Sequence, residues 1–203
     1  MAREKGVKDK IETAALRLFV ERGVAETSIR EIAVAAGVSQ GAMYNHYPSK
    51  EELAWSLFSI NFSELGIELR RLAHEQAGID AKLRAMIRHL FERFDEDWIM
   101  VSYLFFARHQ HLKRVTPTLG NPYTVFRAVI ADAIRHGDIP RQDVELATSL
   151  VTGAIIQVID TRILGRLKRS SLFFTTTNVC CRASAFSGSI STTQPWLGHR
   201  ARV

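Results

Sequence analysis

Cysteine is scarce in this chain of 203 residues: there are two, Cys180 and Cys181, adjacent and late in the sequence. Neighbouring cysteines rarely bridge each other, so a disulfide-stapled scaffold is excluded and free thiols are the simplest reading. With His199 they are too few to complete a structural metal site, and neither a metal nor a cofactor is expected. No run of eighteen consecutive apolar residues occurs, which argues against a membrane-spanning helix. The opening stretch, Met1-Ala2-Arg3-Glu4-Lys5-Gly6, is charged and has no apolar core of the secretory type. A cytoplasmic location without membrane contact is therefore expected. The phosphate-binding loop, dinucleotide fingerprint, zinc-protease helix and nucleophile elbow are all missing, and no enzymatic role is expected.

Acidic residues are missing in one place only. After Asp160 the chain has no Asp or Glu, and residues 169–203 carry four arginines. Much of the net charge of +6 thus comes from the tail. The basic balance permits a polyanionic partner, but by itself it is weak evidence for nucleic acid.

What is present is helical periodicity. Val7, Ile11, Ala14, Ala15, Leu18 and Phe19 form one apolar stripe on a helix over 7–22, which Gly23 ends. Ser28 and Glu31 have the spacing of a capping box for a short helix over 28–36, with Ile29, Ile32, Ala33 and Ala36 inward and Gly37 as its breaker. Ser39 caps a third helix over 39–46, and Val38 with Met43 suits a hydrophobic staple. Ser49 and Glu52 have capping-box spacing for a long helix over 49–75. Further helices are predicted over 80–95, 97–113, 121–136 and 141–168, with breaks at Asp97, at Thr116-Pro117 and at Gly137–Pro140. The chain is all-α.

Two short helices around Gly37-Val38-Ser39 form a helix-turn-helix pattern. In such a pair the first helix braces the second, which is short enough to lie in a major groove about 12 Å wide. Gln40 and Asn45 have the chemistry for base edges, and Gly41 allows close backbone approach. Tyr44, His46 and Lys50 have the reach for phosphates, and the amides at the helix start favour phosphate too. Short helix pairs about a glycine turn also occur inside all-α cores, so the pattern alone leaves both readings open.

The longer string narrows them. From Ile32 to Leu53 the sequence follows I-A-x-x-A-G-V-S-x-G-x-x-Y-x-H-[FY]-x-x-K-x-x-L, and it strongly resembles the DNA-binding domain of the TetR family of transcriptional regulators. The resemblance is close over residues 5–65, with the helix-turn-helix at 28–47. It implies an N-terminal three-helix DNA-binding domain, then a helical regulatory and dimerisation domain over 66–169. It further implies a homodimer on a palindromic double-stranded operator, usually as a repressor, released by a small-molecule effector bound in the C-terminal domain. By position Thr27 and Ser28 would meet phosphate, and Ser39, which caps the recognition helix, is also among the DNA-binding residues. Gln40, Gly41 and Asn45 would face bases, and Tyr44, His46 and Lys50 would hold the backbone. Tyr47 would pack, with a phosphate contact from its hydroxyl as the alternative. His46 as a capping residue and Lys50 as a solvated one are the plain readings.

Aromatic residues are dense between 58 and 126, and a helical core accounts for most of them. Bundles also bind small molecules in apolar pockets with a few polar groups. Trp98, Tyr103, Phe106, His109 and Tyr123 are the candidates for lining such a pocket, which would suit an aromatic or otherwise hydrophobic ligand. His109 and His111 lie two apart, so on a helix they diverge by about 200° and make no metal pair. In the resembled family the last two helices form a four-helix dimer interface. Leu150, Val151, Ala154, Ile155 and Val158 are its candidates here, with a wholly internal role the alternative.

The tail departs from the family. Residues 170–203 hold eleven Ser/Thr, both cysteines and no period of 3.6 where an amphipathic helix is implied. The abrupt change near residue 169 suits a shift of reading frame, the alternative being a genuine β-prone tail. The frameshift reading predicts an amphipathic helix when the gene is translated downstream of codon 169 in its other two frames. Absence of one in both frames rejects it.

Overall fold

The structure, a computed structural model, describes residues 6–116 and 120–167. The tail, both cysteines and the reading of 170–203 lie outside the described residues. Those residues form α1 (Val7–Arg22), α2 (Ile29–Ala36), α3 (Gln40–His46), α4 (Lys50–Glu75), α5 (Ile79–Glu96), α6 (Trp98–His111), a 3₁₀ turn at Leu112–Arg114, α7 (Pro122–His136) and α8 (Val144–Ile163). The all-α expectation holds, with no strand among the described residues.

Local chemistry sets the helix ends. The Ser28 hydroxyl accepts from the Glu31 amide at 3.2 Å, and Glu31 Oε2 accepts from the Ser28 amide at 2.8 Å, completing the capping box. Gly37 closes α2 with φ 67° and ψ 36°, a left-handed conformation that costs glycine little. Ser39 and Ser49 accept from Ala42 and Glu52 amides, each at 3.1 Å. Glu52 does not complete a second box, because its carboxylate pairs with Arg114 at 3.2 Å. The last helix is shorter than the periodicity predicts. Asp143 caps it by accepting from Leu146 N at 2.7 Å, and Gly165 at φ 69° follows its end.

Two hydrophobic clusters organise the molecule. The first joins Ile11, Ala15 and Phe19 of α1, Ile32 and Ala33 of α2, Met43 of α3 and Leu53, Leu57 and Phe58 of α4. The second joins Leu69 and Ala73 of α4 to inward faces of α5, α7 and α8. Residue 65, where the sequence reading ends the first domain, lies within α4, and Leu65 packs against both clusters. Helix α6 crosses the division too: Tyr103, Leu104 and Ala107 belong to the first cluster, Val101 to the second.

Helix α8 has twenty residues, of which an eighteen-residue stretch reaches a mean hydropathy of 1.3, long and apolar enough to cross a membrane by length and composition alone. Ala147, Val151, Ile155 and Ile159 face the second cluster, and Leu146 and Leu150 stand 62% and 52% exposed.

Backbone meets backbone at one point on α4. A Cβ built on Gly66 would lie 2.5 Å from the carbonyl carbon of Gly120, and one on Gly120 would lie 2.5 Å from Ser63 O. Here the segment before α7 rests directly on α4, and the Gly120 amide donates to Ser63 Oγ at 3.3 Å.

Gly66→Ala should therefore destabilise the fold by about 1–3 kcal/mol in chemical denaturation, although alanine is the better helix former. Ser28→Ala should cost about 1 kcal/mol at neutral pH through loss of the cap. It should also change the acid limb of the stability curve. Hydrogen bonds from the Ser28 backbone and hydroxyl, and then Arg22, hold the Glu31 carboxyl below its ordinary value of 4.5. A carboxyl whose folded pKa is depressed contributes stability above its unfolded pKa and loses it as pH falls through the folded one. Wild type should thus lose more stability than Ser28→Ala as pH drops below about 4.5, so the two curves converge in acid.

Candidate nucleic-acid interface and effector cleft

Helix α3 is seven residues long, about 10 Å at 1.5 Å per residue. Met43 is its one fully buried side chain and anchors it to the first cluster. Gln40, Gly41, Tyr44, Asn45 and His46 are all exposed, and Tyr44 keeps 55% of its surface free. None of these side chains makes a hydrogen bond or ion pair among the described residues. The fold thus presents a strip of polar and aromatic groups whose donors and acceptors are unused. The Ser39 hydroxyl is taken up in capping α3, and Ser28, though exposed, gives its hydroxyl and amide to Glu31.

Lys50 is half-buried, and its ammonium donates to Ala25 O at 3.0 Å. This ties the start of α4 to the loop between α1 and α2 and leaves two N–H donors of the ammonium.

Two expected contact residues lie inside instead. Thr27 is 1% exposed and its hydroxyl donates to Gly23 O at 2.8 Å, so it closes the loop before α2 and offers nothing to phosphate. Tyr47 is 6% exposed, and its hydroxyl donates to the Glu12 carboxylate of α1. Burial, followed by the Glu12 interaction, raises its pKa above the ordinary 10.0, so it stays protonated. It packs, as one of its two sequence readings has it.

Between α4, α5, α6, α7 and α8 lies a cleft of about 550 Å³. Phe62, Leu65, Leu90, Leu104, Phe105 and Phe126 supply apolar wall. Arg108, His109, Asn121, Tyr123, Ser149 and Thr152 supply its polar groups. His109 and Tyr123 thus stand on the cleft, while the other three sequence candidates do not. Trp98 and Phe106 are 53% and 52% exposed elsewhere on α6. Tyr103 is buried on the far side, its ring 5.8 Å from that of Phe19 and its hydroxyl donating to Ala54 O at 2.7 Å. Desolvation raises its pKa above 10.0. It fastens α6 to the helix-turn-helix core. Helical spacing cannot tell which face of an aromatic-rich helix meets a cavity, and so could not separate these residues. Arg108 was missed because an arginine near a helix end reads as solvated.

The Tyr123 hydroxyl donates to Glu145 Oε2 at 2.8 Å, and Glu145 also pairs with Arg127. Behind the cleft the end of α6 packs on α4. His111 lies 5.6 Å from Trp55 and 4.9 Å from Phe58 between ring centroids, and the Arg114 guanidinium sits 4.3 Å from the Trp55 ring centroid. His111 is buried, which with Arg114 nearby lowers its pKa below 6.5 and keeps the imidazole neutral. Of the dimer candidates, Val151 and Ile155 are buried in the second cluster, Ala154 and Val158 are half-buried, and Leu150 is exposed.

Residues 11–56 match the family model of bacterial regulatory proteins, tetR family. An HTH-type transcriptional repressor of Mycobacterium tuberculosis is 41% identical over 76 residues, which is 37% of this chain and 38% of that protein. The match thus spans well under half of this relative's length. Across nearly the whole chain the similarity is one of fold. The fatty acid degradation regulator FadR of Bacillus halodurans superposes with a TM-score of 0.74 at 20% identity, covering 88% of this chain and 96% of that one. The transcriptional regulator FadR of Bacillus subtilis, solved in complex with stearoyl-CoA, gives 0.69 at 21% identity over 88% and 98%. Over residues 11–56 the chain thus carries the N-terminal helix-turn-helix domain of the tetR family of bacterial regulatory proteins.

Proposed function

We propose that the protein is a sequence-specific DNA-binding transcriptional regulator: a cytoplasmic homodimer that represses from a palindromic operator and is released by a small hydrophobic ligand. The exposed, unengaged face of α3 carries this reading. Gln40 and Asn45 supply bidentate amides for base edges, and Gly41 lets the helix sit close. Tyr44, His46 and Lys50 supply phosphate contacts that fix register. Repression is supported by the similarity to the Mycobacterium tuberculosis repressor, and an effector with a long apolar chain by the stearoyl-CoA bound in the Bacillus subtilis structure.

The exposed side of α8 supports the dimer. Leu146, Leu150, Gly153 and Leu164 are exposed at helical spacing, with Ala154 and Val158 beside them. Such a stripe loses its contact with water when it packs on a second copy of itself, and the close approach suits Gly153. The coupling runs through α4, whose Phe62 and Leu65 line the cleft and whose Leu53 and Leu57 hold the DNA-binding core. An effector that displaces the cleft wall would move the same helix that positions α3.

Selection of bound sequences from random duplex DNA, at fixed salt, tests the proposal. An enriched palindrome supports a dimer that reads sequence. A single half-site keeps the DNA-binding role and rejects the dimer, and no enrichment from a helical protein rejects the function. On the enriched site, Tyr44→Ala should weaken binding about equally on all sequences and leave the salt slope unchanged, because a neutral hydroxyl releases no counterion. Gln40→Ala should cost about 1–3 kcal/mol at one or two base positions and relax specificity there. Equal losses on every sequence would remove Gln40 from base reading.

A further inference from the structure

We infer that the effector accepted by the α4–α8 cleft carries one anionic headgroup, a carboxylate, held by Arg108 at the end of an apolar body. This rests on reading the cleft as the effector site. Its wall contains no Asp or Glu among the described residues, and its only permanent charge is the Arg108 guanidinium. That guanidinium is half-buried on α6, 5.9 Å from the ring centroid of Phe105, and donates once, to Phe105 O at 3.1 Å. No carboxylate lies within ion-pair distance of it among the described residues.

A part-buried arginine usually has an acid nearby, and this molecule follows that habit elsewhere. Arg162, also half-buried, pairs with Asp95, and even the exposed Arg22, Arg71, Arg114 and Arg127 each have a carboxylate. Glu145, the acid that reaches a cleft residue, is engaged by Arg127 and Tyr123. Arg108 thus retains four of its five N–H donors beside an apolar cavity. Asn121 lies on the same wall with its Oδ1 accepting from the Tyr123 amide at 3.0 Å, which leaves its NH₂ group as a further donor. Donors without acceptors, one full positive charge and walls of Phe62, Phe105 and Phe126 select an amphiphile with a single negative end. A neutral hydrocarbon would leave the guanidinium without a partner where water is being displaced.

The test uses matched probes that share a body and differ in head charge: dodecanoate with dodecanamide, and 4-phenylbenzoate with 4-phenylbenzamide. Binding to the purified full chain is measured by calorimetry without DNA. At least one carboxylate should bind about tenfold or more tighter than its amide. Arg108→Gln should abolish that preference while leaving amide affinity within about threefold, which also shows that the variant is folded; Arg108→Lys should restore part of it. The inference is overturned if amide and carboxylate bind equally, if Arg108→Gln weakens both alike, or if neither pair binds. Adding the bound carboxylate to the protein on its selected DNA is a separate readout. Binding without release of DNA keeps the charge assignment and rejects the effector reading.

Discussion

Helix α4 belongs to two hydrophobic cores at once, and this constrains the rest of the molecule. Its 26 residues span roughly 39 Å. Its first half is buried by α1 and α6 through Leu53, Leu57 and Phe58, its second half by α5 and α7 through Leu69 and Ala73. Neither half can shift without disturbing the packing of the other, because close-packed interiors transmit displacement rather than absorb it. The Tyr103 hydroxyl on Ala54 O and the contact of Gly66 with Gly120 fix the rod at two further points.

The placement of α3 follows from that rod. A helix of two turns has too few internal hydrogen bonds to hold itself in water. It is held by its neighbours: Met43 inserted in the core, Gly37 setting the turn before it, and Tyr47 clamped to Glu12 just after it. With these three fixed, the exposed positions of α3 need contribute nothing to stability. Their chemistry is left free, which is how a short helix carries varied polar residues without loss of fold.

The cleft is built differently. Its walls come from five helices spread along the chain, and its polar groups are an arginine, a histidine, a tyrosine and short hydroxyl and amide side chains rather than a motif. Chemistry assembled in this way leaves no spacing rule behind. The sequence shows an aromatic-rich stretch, but Tyr103 and Phe106 of one helix part company, one sealed against Phe19 and one in water, because α6 faces both cores and solvent within a single turn.

The sequence by itself determined the helices, most of their caps and the polar strip that α3 exposes. These depend on local contacts within about four residues: Ser28 with Glu31, Gly37 in its left-handed turn, and the inward Met43 beside the outward Tyr44. Only the tertiary structure decided that Thr27 and Tyr47 turn inward, that Glu52 leaves its box for Arg114, and that Arg108 stands on a cavity without an ion-pair partner among the described residues. Each of these outcomes depends on a partner, or its absence, in a different element. A chain read along its length reports what lies three or four residues away. Which side chain meets which across 35 or 62 residues is settled when the helices pack.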